Sequence, residues 1–174
     1  VRAVVDTARP RPVVFRTTVS GIDHRHPHPL AAGKNSLEWM VRVPRPRLWW
    51  PHELGDQPLS DLQLTVATDD GAVSDSAMRK IGFRSVRMRD HVWRVNGERL
   101  YLRGAIVPPL LQSLASVDEV SATADLHLAR ELGLNLLRVA GHVSHPILYE
   151  VADRMGMLIW QDMPLSGPYH RGIR

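Results

Sequence analysis

The stretch LNLLRVAGHVSHPILYEVADRMGMLIWQD, residues 134–162, decides the fold of this chain. Two short apolar runs, residues 134–139 and 157–160, are joined by a segment long enough to hold a helix. Pro146 suits the first turn of that helix, and Gly156 suits the position just after its end. The pattern predicts a βαβ unit, in which the two strands are parallel neighbours with a right-handed crossover.

Both predicted strands are apolar over most of their length, which is typical of strands that are covered on both faces. Functional side chains in parallel sheets gather at the carboxyl ends of the strands. The first strand here ends with Arg138, followed by Gly141 and His142, and the second ends with Gln161 and Asp162. These positions are therefore the candidates for a functional site.

The residues that precede this unit extend the same architecture. Asn96-Gly97 between two strand-like arms predicts a tight hairpin that places Trp93 opposite Leu100. The second arm continues to Val107, so the order from Leu100 onward is strand, helix, strand, helix, strand. Three parallel strands with two helices are the expected result.

The first of these two helices has its own end signals. Ser116 and Glu119 form a candidate capping box, and Gly133 suits the end of the helix. The predicted apolar face consists of Leu126, Leu128, Ala129 and Leu132.

The first half of the chain has the pattern of an antiparallel sheet. Alternation predicts strands over residues 11–20, 37–43 and about 62–66, and Asp69-Asp70-Gly71 is a turn signal. Residues 76–86 predict a further strand with a bend near Arg84. Short strands at this spacing favour an immunoglobulin-like β-sandwich over residues 1–88, followed by the α/β part over residues 89–174.

Aromatic and histidine residues in this half have competing interpretations. Trp49 and Trp50 are able to stack on a sugar ring, but a place at the edge of the sandwich core is favoured. His24, His26 and His28 alternate, so they would share one face of an extended segment and suggest a metal site. The intervening prolines favour an exposed loop instead, and we expect no metal and no cofactor.

Composition narrows the range of functions. The net charge of +4 and the pI near 10.1 suggest nucleic-acid binding, but the arginines are dispersed and no recognition motif is present, so we expect no nucleic-acid partner. No apolar run is long enough for a membrane span, so no membrane partner is expected. The absence of cysteine excludes disulfides and cysteine-based chemistry. The cellular compartment is left open.

Five segments, in this order, resemble glycoside hydrolase family 2. They are RLWWPHELGDQPL (47–59), RKIGFRSV (79–86), VNGERLYLRGA (95–105), LGLNLLRV (132–139) and YEVADRMGMLIWQD (149–162). The resemblance implies an immunoglobulin-like domain followed by the first three βα units of a (β/α)8 TIM barrel. It also implies hydrolysis of terminal β-linked sugars with retention. The residues after Arg138 lack the tryptophan-glycine run of many β-mannosidase-like members, so the sugar is unassigned.

The resemblance gives roles to three residues, all substrate-binding. Arg138 matches an arginine that orients the nucleophilic carboxylate, with an ordinary ion pair inside the barrel as the alternative. His142 matches a histidine found in the sugar pocket of some members, and is otherwise a loop residue. Asp162 matches an acidic residue that faces sugar hydroxyls, and is otherwise a helix or loop cap.

The resemblance also implies that the catalytic residues lie elsewhere. The two glutamates of the family belong to barrel strands four and seven, so we expect this chain to be a fragment without a catalytic residue of its own. An incomplete barrel would expose a strand edge and apolar surface, so we expect self-association. The alternative function is that of a non-catalytic carbohydrate-binding or interaction module.

Overall fold

The computed structural model describes residues 1–107 and 117–164. Strands are the main regular structure among these residues, which also form two short helices and no closed barrel. The chain divides into two compact units. The first contains Val1–Arg47 and Leu59–Ile81, and the second contains Leu48–Pro58 and the described residues from Gly82 onward. In the part of the chain that the structure describes, no helix is long and apolar enough to cross a membrane.

The first unit contains two antiparallel sheets. Its strands are β1 (Arg2–Thr7), β2 (Arg11–Val19), β3 (Ile22–Leu30), β4 (Gly33–Glu38), β5 (Ser60–Thr68) and β6 (Val73–Ile81). One sheet is the pair β1-β4, and the other has the order β3-β2-β5-β6. Both sheets contribute to one core, because apolar side chains alternate along the strands and share a face. The buried members of that core are Val13, Phe15, Leu30, Leu37, Trp39 and Val66.

The second unit combines an antiparallel and a parallel sheet. Its strands are β7 (Val86–Arg89), β8 (Val92–Val95), β9 (Glu98–Leu100), β10 (Gly104–Val107), β11 (Leu136–Val139) and β12 (Leu158–Gln161). The helices are α1 (Glu119–Glu131) and α2 (Pro146–Met155). Strands β7-β8-β9 form the antiparallel sheet, and β10-β11-β12 form the parallel one. The helices bury the parallel sheet on one face, where Leu126, Leu137, Val139, Leu148 and Val151 form the centre of the core.

The predicted βαβ unit is confirmed. Strands β11 and β12 are parallel neighbours, with Arg138 paired to Trp160. Helix α2 begins at Pro146, and Gly156 adopts the left-handed conformation (φ 74°) at its end. The predicted cover on both faces is wrong for the described residues, since Ile106 and Trp160 are 63% and 45% exposed on the face opposite the helices.

The predicted Asn96-Gly97 hairpin is also confirmed. Asn96 and Gly97 both have positive φ, of 51° and 94°, as a two-residue hairpin turn requires. Trp93 pairs with Leu100 across it, as predicted.

The end signals of α1 differ from the prediction. Asp118 is the N-cap residue and forms a capping box with Ser121, whereas Ser116 lies outside the described residues. The predicted face is partly wrong. Leu126 and Ala129 are buried together with Ala122, but Leu128 and Leu132 are exposed. Leu128 lies about 200° around the helix from Leu126, so the two cannot share a face.

The histidine run is a strand, not the predicted loop. His24, His26 and His28 lie on β3 and are each half-buried. Strand β3 is at the edge of its sheet, where prolines are tolerated because one side of the backbone needs no partner. The ring of His26 stacks on Trp39 at 5.4 Å between ring centroids.

Two predicted strand boundaries are also wrong. The predicted strand over residues 37–43 ends at Glu38 in the structure, although Trp39 is buried as expected. The predicted strand over residues 76–86 ends at Ile81, and the interruption before β7 covers residues 82–85, which include the predicted bend at Arg84. A side chain at Gly82 would lie 2.9 Å from the Trp49 side chain, so the close approach of Trp49 requires glycine there.

The two compact units do not coincide with the predicted division at residue 88. Leu48–Pro58 and Gly82–Met88 belong to the second unit. Trp49 is 1% exposed and donates a hydrogen bond to the Asp153 carbonyl (2.7 Å), and the Asn96 side chain donates to the Trp49 carbonyl (2.9 Å). The predicted burial of Trp49 is therefore confirmed, but its predicted place at the edge of the sandwich core is wrong, because Trp49 is buried in the second unit.

Candidate functional site

Arg138 and Asp162, two of the predicted site residues, are brought together by the parallel pairing of β11 and β12. The backbone nitrogen of Asp162 donates to the Val139 carbonyl (3.0 Å), which continues the ladder past the end of β12. The Arg138 Nε and Nη2 atoms lie 2.9 and 2.8 Å from Asp162 Oδ2. Their side chains are 48% and 27% exposed, so the ion pair is accessible from solvent.

Trp160 lies beside this pair. It is the β12 partner of Arg138, and the Arg138 guanidinium carbon is 5.9 Å from the centre of its ring. The Trp93 ring packs against the Trp160 ring, with 6.1 Å between the two ring centroids. The Trp160 side chain is 45% exposed on the same face as Arg138. The accessible surface here combines a cation, a carboxylate and an aromatic ring.

His142, the third predicted residue, is buried in the loop between β11 and α2, with 8% of its surface exposed. Its Nδ1 atom lies 3.1 Å from the Ala140 carbonyl oxygen. A carbonyl oxygen only accepts, so we assign the ring proton to Nδ1, which makes Nε2 an acceptor in the neutral ring. The described residues show no hydrogen bond between this ring and Arg138 or Asp162. The structure therefore brings Arg138 and Asp162 into contact, but not His142.

Tyr149 and Gln161 also belong to this region. The resemblance gave neither of them a role, although Gln161 was a candidate because it stands at a strand end. The Tyr149 hydroxyl on α2 donates to Gln161 Oε1, and Gln161 Nε2 donates to the His142 carbonyl (2.7 Å). Tyr149 also accepts from the Ser144 backbone (3.1 Å). The sequence feature that could have identified Tyr149 is its position on the sheet-facing side of α2, next to the buried Leu148.

The charges around the site do not form an acid pair. Among the described residues, Asp162 is the one carboxylate in ion-pair contact with Arg138. Glu150 and Asp153 lie on α2. Burial raises the pKa of Asp153, and the Arg84 guanidinium 3.9 Å away acts in the opposite direction. Within residues 1–107 and 117–164 no group of three or more metal-ligating side chains could hold a metal ion.

A cavity of about 400 Å³ in the second unit adjoins this site, because Trp160 is one of its lining residues. Residues that line it include Trp93, Leu100, Tyr149, Asp153, Trp160 and Gln161. Arg138, His142 and Asp162 do not line it. The ion pair lies at the exposed face of the parallel sheet, and the lining of the cavity is mostly apolar.

The chain is similar to known glycoside hydrolases over most of its length. Residues 14–84 match the model of the family described as Glycosyl hydrolases family 2. An exo-β-D-glucosaminidase of Amycolatopsis orientalis is 35% identical over 124 residues, which are 68% of this chain and 12% of that enzyme. A mannosylglycoprotein endo-β-mannosidase of Lilium longiflorum is 27% identical over 158 residues, 84% of this chain and 16% of that enzyme.

A solved structure extends the similarity to the fold. The crystal structure of an exo-chitosanase of Amycolatopsis orientalis superimposes with a TM-score of 0.80 at 30% identity, over 93% of this chain and 20% of that one. The chain thus spans less than a fifth of the length of these two curated relatives.

Proposed function

Because this chain belongs to glycoside hydrolase family 2, we propose that the complete protein hydrolyses O-glycosyl bonds at terminal β-linked sugars. The single observation that carries the proposal is the accessible Arg138–Asp162 pair at the carboxyl ends of two parallel strands. The two compact units are then an immunoglobulin-like domain and the beginning of a (β/α)8 barrel. Antiparallel sheets with a shared core support the first assignment, and the parallel strands support the second.

The proposed mechanism is retaining hydrolysis. It requires two carboxyl groups about 5 Å apart, one as acid/base and one as nucleophile. Asp162 is a single carboxylate neutralised by Arg138, and it does not supply such a pair. We therefore place the acid/base and the nucleophile outside this chain and regard its 174 residues as inactive by themselves.

Arg138 has the geometry for an electrostatic role. Its side chain is 48% exposed, and its guanidinium uses Nε and Nη2 on Asp162, so the remaining N–H donors are available to a second carboxylate. A charge-assisted bond would orient a nucleophilic carboxylate and keep it ionised. Asp162 and the Nε2 atom of His142 are proposed to accept hydrogen bonds from sugar hydroxyls.

The sugar class is suggested by the relatives. Several are named exo-β-D-glucosaminidases, so glucosamine is the first candidate, with mannose second because of the mannosidase relatives. The test is a panel of p-nitrophenyl β-glycosides of glucosamine, mannose, galactose and glucuronic acid, with the full-length protein. Turnover of one or more supports the proposal, and no turnover of any sugar contradicts it. Binding without turnover would favour a carbohydrate-binding module.

Arg138→Lys is the sharpest variant for the role of this residue. Lysine keeps the charge but loses the planar, bidentate donor, so kcat/KM should fall on the order of 10²- to 10³-fold. Arg16→Lys is the matched control, because Arg16 forms an ion pair of the same length with Asp23 (2.8 Å) at similar exposure in the first unit. Equal activity of the two variants would show that Arg138 does not have the proposed role in the site.

We also propose that the 174-residue chain self-associates through the open edge of β12. Ile106, Trp160 and Met163 are 63%, 45% and 67% exposed in the second unit, and β12 pairs with β11 alone among the described strands. An apolar surface next to an unpaired strand edge promotes association. Sedimentation velocity over a range of concentrations should show oligomers, and a monomer throughout would contradict this proposal.

A further inference from the structure

A hydrogen-bonded bridge lies behind the proposed sugar site, on the face of the parallel sheet that the helices cover. Gln161 pairs with Val139 across β11 and β12, and its side chain points to the face opposite that of Arg138. Tyr149 reaches it from α2 and donates its hydroxyl proton to Gln161 Oε1. The bridge therefore joins a helix to the carboxyl end of a strand.

The bridge also fixes the two segments that carry the site. Gln161 Nε2 donates to the carbonyl oxygens of His142 (2.7 Å) and Asp162 (2.6 Å). The Tyr149 hydroxyl accepts from the backbone nitrogen of Ser144 (3.1 Å), in the same loop as His142. One amide and one hydroxyl thus engage the main chain on both sides of the site.

The burial of this loop makes the bridge important. His142 and Ser144 are 8% and 6% exposed, so their backbone groups depend on protein partners. A buried amide or carbonyl without a partner is costly, and the loop would shift to regain one. A shift of the loop moves the His142 ring, and a shift at Gln161 moves Asp162.

We infer that Tyr149 and Gln161 are positioning residues that hold His142 and Asp162 in place for the sugar, an inference that rests on the proposed function. Neither side chain contacts the substrate in this scheme. His142 and Asp162 are the residues that contact the sugar in this scheme. Their orientation depends on the Tyr149–Gln161 hydrogen bond and on the Gln161 side-chain N–H donor. Contacts to sugar hydroxyls strengthen in the transition state, so the bridge acts on kcat more than on KM.

The first test is Tyr149→Phe in the full-length protein, assayed on its preferred aryl glycoside. The matched control is Tyr101→Phe, because Tyr101 is 76% exposed and its hydroxyl forms no hydrogen bond to the described residues. Loss of the two partly buried hydrogen bonds of the Tyr149 hydroxyl and a small displacement of the site should lower kcat about five- to thirtyfold, with KM changed less than threefold. Tyr101→Phe should keep wild-type kcat.

The second test separates positioning from folding. Gln161→Leu removes the donor at every pH, whereas Gln161→Glu lacks it when ionised and regains an O–H donor when protonated. The activity of Gln161→Glu relative to wild type should therefore rise as the pH is lowered, and that of Gln161→Leu should not. A purely structural role would reduce the melting temperature of both variants without this difference in pH profile.

The outcomes distinguish this inference from the proposed function. A wild-type protein that hydrolyses no glycoside overturns both. An active wild type, with Tyr149→Phe equal to Tyr101→Phe or with Gln161→Glu and Gln161→Leu sharing one pH profile, overturns the positioning role alone. If Tyr149→Phe does not fold, the two Gln161 variants decide the question.

Discussion

Each of the two units fully buries an aromatic side chain, but the two units differ in their buried polar groups. Phe15 is 0% exposed in the first unit, and Trp49 is 1% exposed in the second. Among the described residues, Thr17 is the buried polar side chain of the first unit, whereas the second contains Asn135, His142 and Ser144. Buried polar groups must be paired, so they restrict the geometry of their surroundings more than apolar ones do.

The difference indicates where each unit is constrained. Thr17 accepts one bond, from Trp39 Nε1 (3.1 Å). Asn135 accepts from the Arg103 backbone (2.9 Å) and donates to the Tyr101 carbonyl (2.9 Å), tying β11 to the segment before β10. The polar network of the second unit is therefore close to the strands that carry the proposed site, and the first unit is mainly a packed scaffold.

The largest expected effects come from the two apolar cores, where the units should be alike. Trp49→Ala and Phe15→Ala should each lower the free energy of unfolding by about 3–5 kcal/mol, because each leaves a large cavity. Hydrogen exchange of peptides from the corresponding unit is the measurement. Leu54→Ala is the control, since Leu54 is 37% exposed and should change stability by about 0.5 kcal/mol or less. A much smaller loss of stability for one of the two substitutions would show that the two units do not depend equally on their buried aromatic residues.

The buried polar groups should show the contrast most clearly. Asn135→Leu leaves the Arg103 nitrogen and the Tyr101 carbonyl without partners and should cost about 2–4 kcal/mol. Thr17→Val leaves the Trp39 indole N–H unpaired and should cost about 1–2 kcal/mol. Chemical denaturation of both variants, monitored in each unit by hydrogen exchange, tests the difference. Equal costs would mean that the polar network does not distinguish the units.

Two glycines extend the comparison to the backbone. Gly156 and Gly71 both have positive φ, of 74° and 83°. A Cβ at Gly156 would lie 2.6 Å from the His52 nitrogen, whereas a Cβ at Gly71 would meet nothing within 4 Å. Gly71→Ala should cost about 1 kcal/mol for the conformation alone, and Gly156→Ala about 2–3 kcal/mol because the backbone must also shift. Thermal melts check both values, and a smaller loss for Gly156→Ala than for Gly71→Ala contradicts the prediction.

The smallest expected effect is a difference in pH dependence between the units. Burial raises the pKa of Asp153 in the second unit, so its contribution to stability is largest at low pH and is lost as the pH rises through the folded-state pKa. The Thr68 hydroxyl lowers the pKa of Asp70 in the first unit, so its contribution is lost as the pH falls through the folded-state pKa.

Asn substitutions test these signs. At neutral pH, Asp153→Asn should be more stable than wild type, and Asp70→Asn should be less stable. Below the ordinary carboxyl pKa of about 4, both differences should shrink. Denaturant titrations across this range provide the measurement. If the stabilities of the wild type and of Asp70→Asn decrease by the same amount as the pH is lowered, Asp70 makes no such contribution.

Features that depend on neighbours in the chain were predictable from the sequence. The Asn96-Gly97 hairpin, the limits of α2 at Pro146 and Gly156, and the parallel pairing of β11 and β12 are all confirmed. Turn signals and hydrophobic periodicity depend on a few adjacent residues, so they can be recognised without a structure. The sequence also placed Arg138 and Asp162 at the ends of adjacent strands, which is where they pair.

Features that depend on distant residues were decided by the tertiary structure. Leu48–Pro58 belongs to the second unit, where Trp49 forms hydrogen bonds with Asp153 and Asn96. No local sequence pattern reveals these contacts. The exposure of Trp160 depends on which sheet face the helices cover.

The support of the site is the clearest case of this division. Arg138, His142 and Asp162 are recognisable as candidates because they follow predicted strands, a property of the sequence alone. Tyr149 and Gln161 are twelve residues apart and meet only after α2 has packed on β12. The sequence by itself therefore determined which residues stand at the strand ends, and the packing of helix on sheet decided what holds them there, because a hydrogen bond requires two groups that only folding brings within reach.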